Sequence, residues 1–291
     1  MTVSNPPRGE SAHPHLDTTA QLMNAITSQL GSQLSLVALD GRRRAAPPAL
    51  VLAAHGSRDP RALATVQTLA ERVRELRPGL SVHLGHIERS APLLPDTLAA
   101  LPPGRAVLVP LLLGRGYHVK QDLPAATAAA PHVDARIAAP LGPHPLLVET
   151  LFTRLVEAGW NPRLSDAQRR GSGVVLAAAG SRDPESAADT RRTADLLAER
   201  VGVPVVPAYA SVAPGVAGAV RVLASRGRYR VAVASYFTAP GRFASECADA
   251  APWVVAAPLG AHAGVARLVL HRYDQVLASA DFVSRGALAP A

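Results

Sequence analysis

The chain has 291 residues, 48% apolar and only 4% aromatic, and a formal net charge of +8 with arginine far ahead of lysine. That length suits two compact domains, and the single cysteine, Cys247, excludes a disulfide framework and any all-cysteine iron–sulfur or zinc site. No apolar run is long enough to span a bilayer, and the N-terminus lacks a secretory signal pattern, so the expectation is a cytoplasmic protein without a membrane partner. The positive balance suits a polyanion. The candidates are nucleic acid, an acidic membrane surface or a small ligand with many carboxylates, and no helix-turn-helix, zinc finger or aromatic-basic interleaving supports the first.

Residues 1–45 read as a flexible tail of Pro, Ser, His and Thr with a hint of helix over Ala20–Leu30; His13 and His15 there read as solvated. From residue 46 to 160, strands and helices alternate. Leu50–Ala54 is a continuous apolar run, as a strand covered on both faces requires. Asp59 then caps a helix with Pro60 at its first position, Leu63, Val66, Ala70, Val73 and Leu76 form its apolar stripe, and Pro78-Gly79 stops it. Strands follow over 81–87, 106–112 and 135–139, with helices after Pro92, from about Val119 and after Pro143. Residues 161–173, with Asn161-Pro162 and Gly171-Ser172-Gly173, read as a linker. The order then repeats over 174–285: strand 174–178, helix 184–200, strand 204–210, helix 214–225, strand 230–236, helix 242–250, strand 253–256 and helix 262–278.

The repeat length of about 120 residues marks a domain duplication, since solenoid repeats run to only 20–50. The fold class expected is α/β: two tandem flavodoxin-like domains, each a parallel sheet flanked by helices, with a cleft between them. One tract shows what the duplication kept. Val51-Leu52-Ala53-Ala54-His55-Gly56-Ser57-Arg58-Asp59-Pro60 returns as Val175-Leu176-Ala177-Ala178-Ala179-Gly180-Ser181-Arg182-Asp183-Pro184. The turn survives and the imidazole does not. His144 and His262, each after a Pro-Leu-Gly turn, suggest a structural role such as capping.

His55, Glu88 and His118 each follow a predicted strand, at the sheet edge where such folds bind ligands. Two imidazoles and a carboxylate suit a divalent first-row metal, with Asp122 one helical turn from His118 to orient its ring. Aligning the halves by landmarks puts Ala179 opposite His55, Ala210 opposite Glu88 and Arg242 opposite His118. Joint loss from one copy marks the three as one functional set. Arg242 with Glu246 reads as a helix ion pair. His86 shares a strand face with Glu88 and reads as either a third nitrogen ligand or a hydrogen-bonded core imidazole. Ser57 and Arg58 start a helix whose free N–H groups could hold an anion.

The segments His55-Gly56-Ser57-Arg58-Asp59, Glu88 with Ala91-Pro92, and Gly116-Tyr117-His118-Val119-Lys120-Gln121-Asp122-Leu123-Pro124 resemble the sirohydrochlorin chelatases of the class II chelatase group. The resemblance implies ATP-independent insertion of Fe²⁺ or Co²⁺ into sirohydrochlorin, for siroheme or cobalamin synthesis. Iron is expected first, because siroheme is the more widely needed product. The metal would be a substrate, with no tightly bound cofactor. His55 and His118 would hold it, Glu88 would accept a proton, and Asp122 and His86 would stand behind them. The substrate's eight carboxylates would meet Ser57, Arg58, Arg89, Arg115, Lys120, Arg182 and Arg242. A monomer is expected, because the two halves supply both lobes. The alternative of another class is a non-catalytic metal or tetrapyrrole carrier.

Overall fold

A computed structural model of the protein describes residues 47–251 and 253–279. The tail, with His13 and His15, and the chain beyond Ser279 lie outside the described residues. The elements in order are β1 (Ala49–Ala54), α1 (Pro60–Leu76), β2 (Val82–His86), α2 (Leu94–Ala99), β3 (Gly104–Pro110), a π-helical turn (His118–Asp122) running into α3 (Leu123–Ala128), β4 (Val133–Ile137) and α4 (Pro145–Glu157). Then come α5 (Asp166–Gly171), β5 (Ser172–Ala178), α6 (Pro184–Val201), β6 (Val205–Tyr209), α7 (Val216–Ala224), β7 (Arg230–Tyr236), α8 (Arg242–Asp249), β8 (Val254–Val255) and α9 (Ala263–Leu277). The segment read as a linker carries α5, whose start is closed by reciprocal Ser165 and Gln168 hydrogen bonds.

The strands form two parallel four-stranded sheets, ordered β2-β1-β3-β4 and β6-β5-β7-β8. The tandem α/β architecture expected from the duplicated pattern is therefore present. Central strands β1 and β5 are buried along both faces, which is why they read as unbroken apolar runs. The outer face of the first sheet is covered by α2 and α3 through Leu94, Leu98 and Leu123, and that of the second by α7 and α8 through Val216, Leu223 and Cys247.

One apolar core fills the space between the sheets and draws on both halves. The last helix of each half crosses over: α4 packs on β7, and α9 packs on β3 and α1. Tyr273 of α9 donates to the Pro48 carbonyl at 2.7 Å, and Arg77 pairs with Asp274. This exchange explains one departure from the expected α1 stripe. The buried face is Ala62, Val66, Leu69, Ala70 and Val73, turned toward both the sheet and α9, while Leu76 in the last turn is exposed.

The histidine caps are present as expected. Nδ1 of His144 accepts from the Leu146 N–H and Nδ1 of His262 from the Gly264 N–H, both at 3.1 Å. An accepting nitrogen must be unprotonated. Burial lowers both rings below their ordinary 6.5, aided by Arg272 and His271 beside His144 and by Arg154 beside His262, against Glu157. The unfolded rings therefore bind protons first, so the caps contribute fully above about pH 6.5 and are lost as pH falls through the lower folded values. Urea unfolding should show stability dropping by about 1 kcal/mol per cap between pH 7.5 and 5. A double His144→Asn, His262→Asn variant, which caps without titrating, should flatten that slope.

Candidate active site

Parallel β1 and β2 end in register, with Ala54 opposite His86, so the chain leaves both strands at one edge. The N–H of Glu88 donates to the His55 carbonyl at 3.0 Å and ties the two loops together. Gly56, at φ +94°, lets them meet: a Cβ there would lie 1.7 Å from the Glu88 carbonyl oxygen. Ser90 completes the clasp, its hydroxyl accepting from the Ser57 N–H and donating to the Ser57 carbonyl. The loop after β3 brings in His118.

The His55 and His118 rings meet edge to face with centroids 4.7 Å apart. Glu88 Oε1 lies 3.6 Å from Nδ1 of His55. All three side chains are partly open to solvent. Asp122 Oδ2 lies 2.5 Å from Nδ1 of His118, which leaves Nε2 of that ring as the free donor position. The hydrogen bond from Nε of Arg89 holds the Glu88 carboxyl below the usual carboxylate range, with His55 and His118 adding to the effect. The site is thus an ionised carboxylate beside two imidazoles at an accessible sheet edge. Among the described residues, no three His, Cys, Asp or Glu side chains gather closely enough to cage a metal.

The CbiX family model matches residues 49–158 and again 173–276, once on each half. The chain belongs to the CbiX family. A sirohydrochlorin cobaltochelatase of Methanopyrus kandleri is 30% identical over 137 residues, covering 38% of this chain and 96% of that protein. A sirohydrochlorin cobaltochelatase of Priestia megaterium is 28% identical over 152 residues, covering 50% of this chain and 49% of its own length. The fold is shared with SirB from Bacillus subtilis, solved with Fe³⁺, at a TM-score of 0.64 and 21% identity over 81% of this chain and 97% of that one. It is shared too with CbiX, described as the terminal enzyme for biosynthesis of siroheme in denitrifying bacteria, at a TM-score of 0.61 and 23% identity over 79% of this chain and 100% of that one.

Within this CbiX chain the structure corrects the alignment of the halves. The N–H of Ile87 bonds to Ala54 and that of Glu88 to His55, just as Ala210 bonds to Ala178 and Ser211 to Ala179. Glu88 is therefore matched by Ser211, and Ala210 matches Ile87. The landmark that misleads is the following proline: the first loop carries one more residue before it, absorbed where Arg89 takes φ 67°. Similarly, Gly116 and Gly241 accept the first helical bonds, from Lys120 and Ser245. This sets Phe243 opposite His118 and Arg242 opposite Tyr117. Beyond them the buried anchors Leu123 and Cys247 realign one position differently, because the π-helical turn holds an extra residue. Both Glu88 and His118 thus sit where the first copy has one residue more than the second. The joint loss of imidazoles and carboxylate from the second copy stands.

The other sequence-derived candidates divide. His86 is buried, with Nδ1 3.2 Å from the Pro92 carbonyl and Nε2 without a partner. It lines a small cavity with His55, Leu63, Leu111 and the Phe237–Pro240 loop of the second half. The Ser57 hydroxyl accepts from the Asp59 N–H, as Ser181 does from Asp183, so it serves the turn in both copies. Arg58, Arg89 and Arg182 are exposed; Arg242 is exposed as well and lies 3.8 Å from Glu246 in the expected ion pair. Arg115 and Lys120 are placed differently: Arg115 pairs with Glu185 and Asp189, and Lys120 with Asp183 and Glu185. Those three acids, and the Phe237–Pro240 loop, were not singled out by sequence. The signal for the acids is Glu185, which stands where the first copy has Arg61.

Proposed function

We propose that the protein is a sirohydrochlorin chelatase that inserts Fe²⁺ or Co²⁺ without ATP. The observation that carries the reading is the edge-to-face pair of His55 and His118 with ionised Glu88 beside it. The M. kandleri and P. megaterium relatives, both named for this substrate and for cobalt, support it. Insertion exchanges two pyrrole protons for a divalent ion, so net charge is conserved and the new metal–nitrogen bonds drive the step. His55 and His118 hold the ion over the macrocycle and give it up as the pyrrole nitrogens replace them. Two ligands suffice for delivery, and a fuller cage would hinder it. Glu88 accepts the two pyrrole protons in turn and passes each to solvent, to which it is open.

Arg58, Arg89, Arg182 and Arg242 supply exposed guanidinium groups for the substrate's carboxylates. Imidazole and carboxylate donors take Fe²⁺ and Co²⁺ alike, so the choice of metal follows supply as much as the ligand set. The test is anaerobic absorbance of sirohydrochlorin with each metal, beside His55→Ala and Glu88→Gln. Rates well above the uncatalysed control, lost in both variants, establish the chelatase. Tetrapyrrole binding without acceleration by either metal assigns a carrier instead.

A further inference from the structure

We infer that Asp189, in the half that lost the site, is a positioning residue for His118: it fixes the loop that carries the imidazole by gripping Arg115. This rests on the chelatase reading above and says how the second half serves it.

The loop between β3 and the π-helical turn has no regular structure of its own from Leu111 to Gly116. The second half holds it at three successive points. Tyr236 of β7 donates its hydroxyl to the Leu113 carbonyl at 3.1 Å. Asp189 of α6 takes three hydrogen bonds from one residue: the Arg115 N–H at 2.9 Å, its Nε at 3.1 Å and a terminal guanidinium nitrogen at 2.7 Å. Lys120, two residues past His118, reaches Asp183 and Glu185, each at 2.6 Å. His118 sits inside this span. A fork of backbone and guanidinium bonds to one carboxylate fixes orientation as well as distance.

Asp189 has the burial such a device needs. Its side chain is 6% exposed, whereas the Arg115 side chain is 46% exposed. A carboxylate removed from water is costly unless its partners are fixed. The Tyr236 hydroxyl lies 3.2 Å from that of Thr193, which donates to the Asp189 carbonyl, so the first two points are neighbours in one assembly.

The two copies differ at these acids. With the shared Gly-Ser-Arg-Asp-Pro tracts in register, Glu185 replaces Arg61 and Asp189 replaces Thr65. In the first copy Arg61 neutralises its own capping Asp59 at 2.8 Å. In the second, the cap Asp183 keeps one oxygen for the Glu185 N–H and offers the other to Lys120, the only lysine in the chain. The equivalent contact on the other side is not closed: the Phe237–Pro240 loop and the start of α1 border the cavity that His55 and His86 line. One copy kept the reacting groups. The other became their mount.

The test uses the full chain with Asp189→Asn, which keeps the volume, and Asp189→Glu as the conservative variant. The readouts are the kcat and KM of insertion and the affinity for Co²⁺ alone, followed by its absorption bands. Asp189→Asn should lower kcat about tenfold or more at unchanged tetrapyrrole KM, and weaken Co²⁺ by about tenfold, as losses of orienting groups behind metal ligands do. Asp189→Glu should recover part of both. The opposite arrangement has the acids as counter-ions that the polycarboxylate substrate displaces from Arg115 and Lys120. It predicts a lower KM and an undiminished kcat in Asp189→Asn, and that outcome overturns the inference, as does unchanged Co²⁺ affinity. Should Asp189→Asn not fold, Arg115→Gln breaks the same contact from its exposed side. If wild type binds Co²⁺ but never inserts it, the chelatase reading fails, while the Co²⁺ affinities still decide the role of Asp189.

Discussion

Glu88→Gln should slow metal insertion by about 100- to 10 000-fold, the usual worth of a positioned proton acceptor, while tetrapyrrole and Co²⁺ binding change little. Glutamine keeps the size of the side chain and its hydrogen-bonding reach to Arg89, and removes only the basic oxygen. The carboxyl is held below its ordinary range chiefly by the Arg89 hydrogen bond, so at neutral pH it is present as the acceptor and needs no prior deprotonation. The rate should therefore be insensitive to Glu88 above the usual carboxylate range and fall only as pH drops through its lowered value. Stopped-flow absorbance at saturating Co²⁺, with direct titration of each ligand, separates the proton step from binding. Insertion at the wild-type rate in Glu88→Gln would move the proton acceptor elsewhere.

Gly56→Ala should be the most damaging small substitution in the described chain, lowering stability by about 3 kcal/mol or more and abolishing insertion. Two effects act together there. The backbone stands at φ +94°, and the new methyl would meet the rigid Glu88 carbonyl at 1.7 Å, a group already bonded into the loop. Relief requires parting the ends of β1 and β2, which carries Glu88 away from His55. Gly180, its counterpart, has φ +87° but faces first the Ser211 hydroxyl at 2.8 Å, which can rotate away. Gly79 has φ +83° and open space. Urea midpoints should rank Gly79→Ala mildest, at about 1 kcal/mol, Gly180→Ala next and Gly56→Ala worst. Equal losses at Gly56 and Gly180 would show that the clasp between the two loops carries no special burden.

Local periodicity and punctuation reach far into this fold. The unbroken apolar runs of β1 and β5, the Asp59-Pro60 and Asp183-Pro184 helix starts and the histidine caps were all legible, because each depends on residues within a few positions of one another. The duplication made His55, Glu88 and His118 legible as one set, since a copy that folds without them cannot need them for folding. The same comparison misjudged Ser211 and Phe243 by one position each. One-residue insertions in a loop and a π-helical turn leave no mark on the motifs that flank them, and only the strand register and the first helical hydrogen bonds reveal them.

What the sequence by itself determined was the tandem α/β plan and the choice of His55, Glu88 and His118 as the candidate set, both written in short-range spacing and in the difference between two copies. What only the tertiary structure decided was who holds those groups in place. The exchange of α4 and α9 between the sheets and the pairing of Arg115 and Lys120 with acids more than sixty residues away join segments that carry no mutual pattern along the chain. A charge on the sequence is an offer to any opposite charge. Burial of Asp189 against the loop after β3 settled which offer was taken.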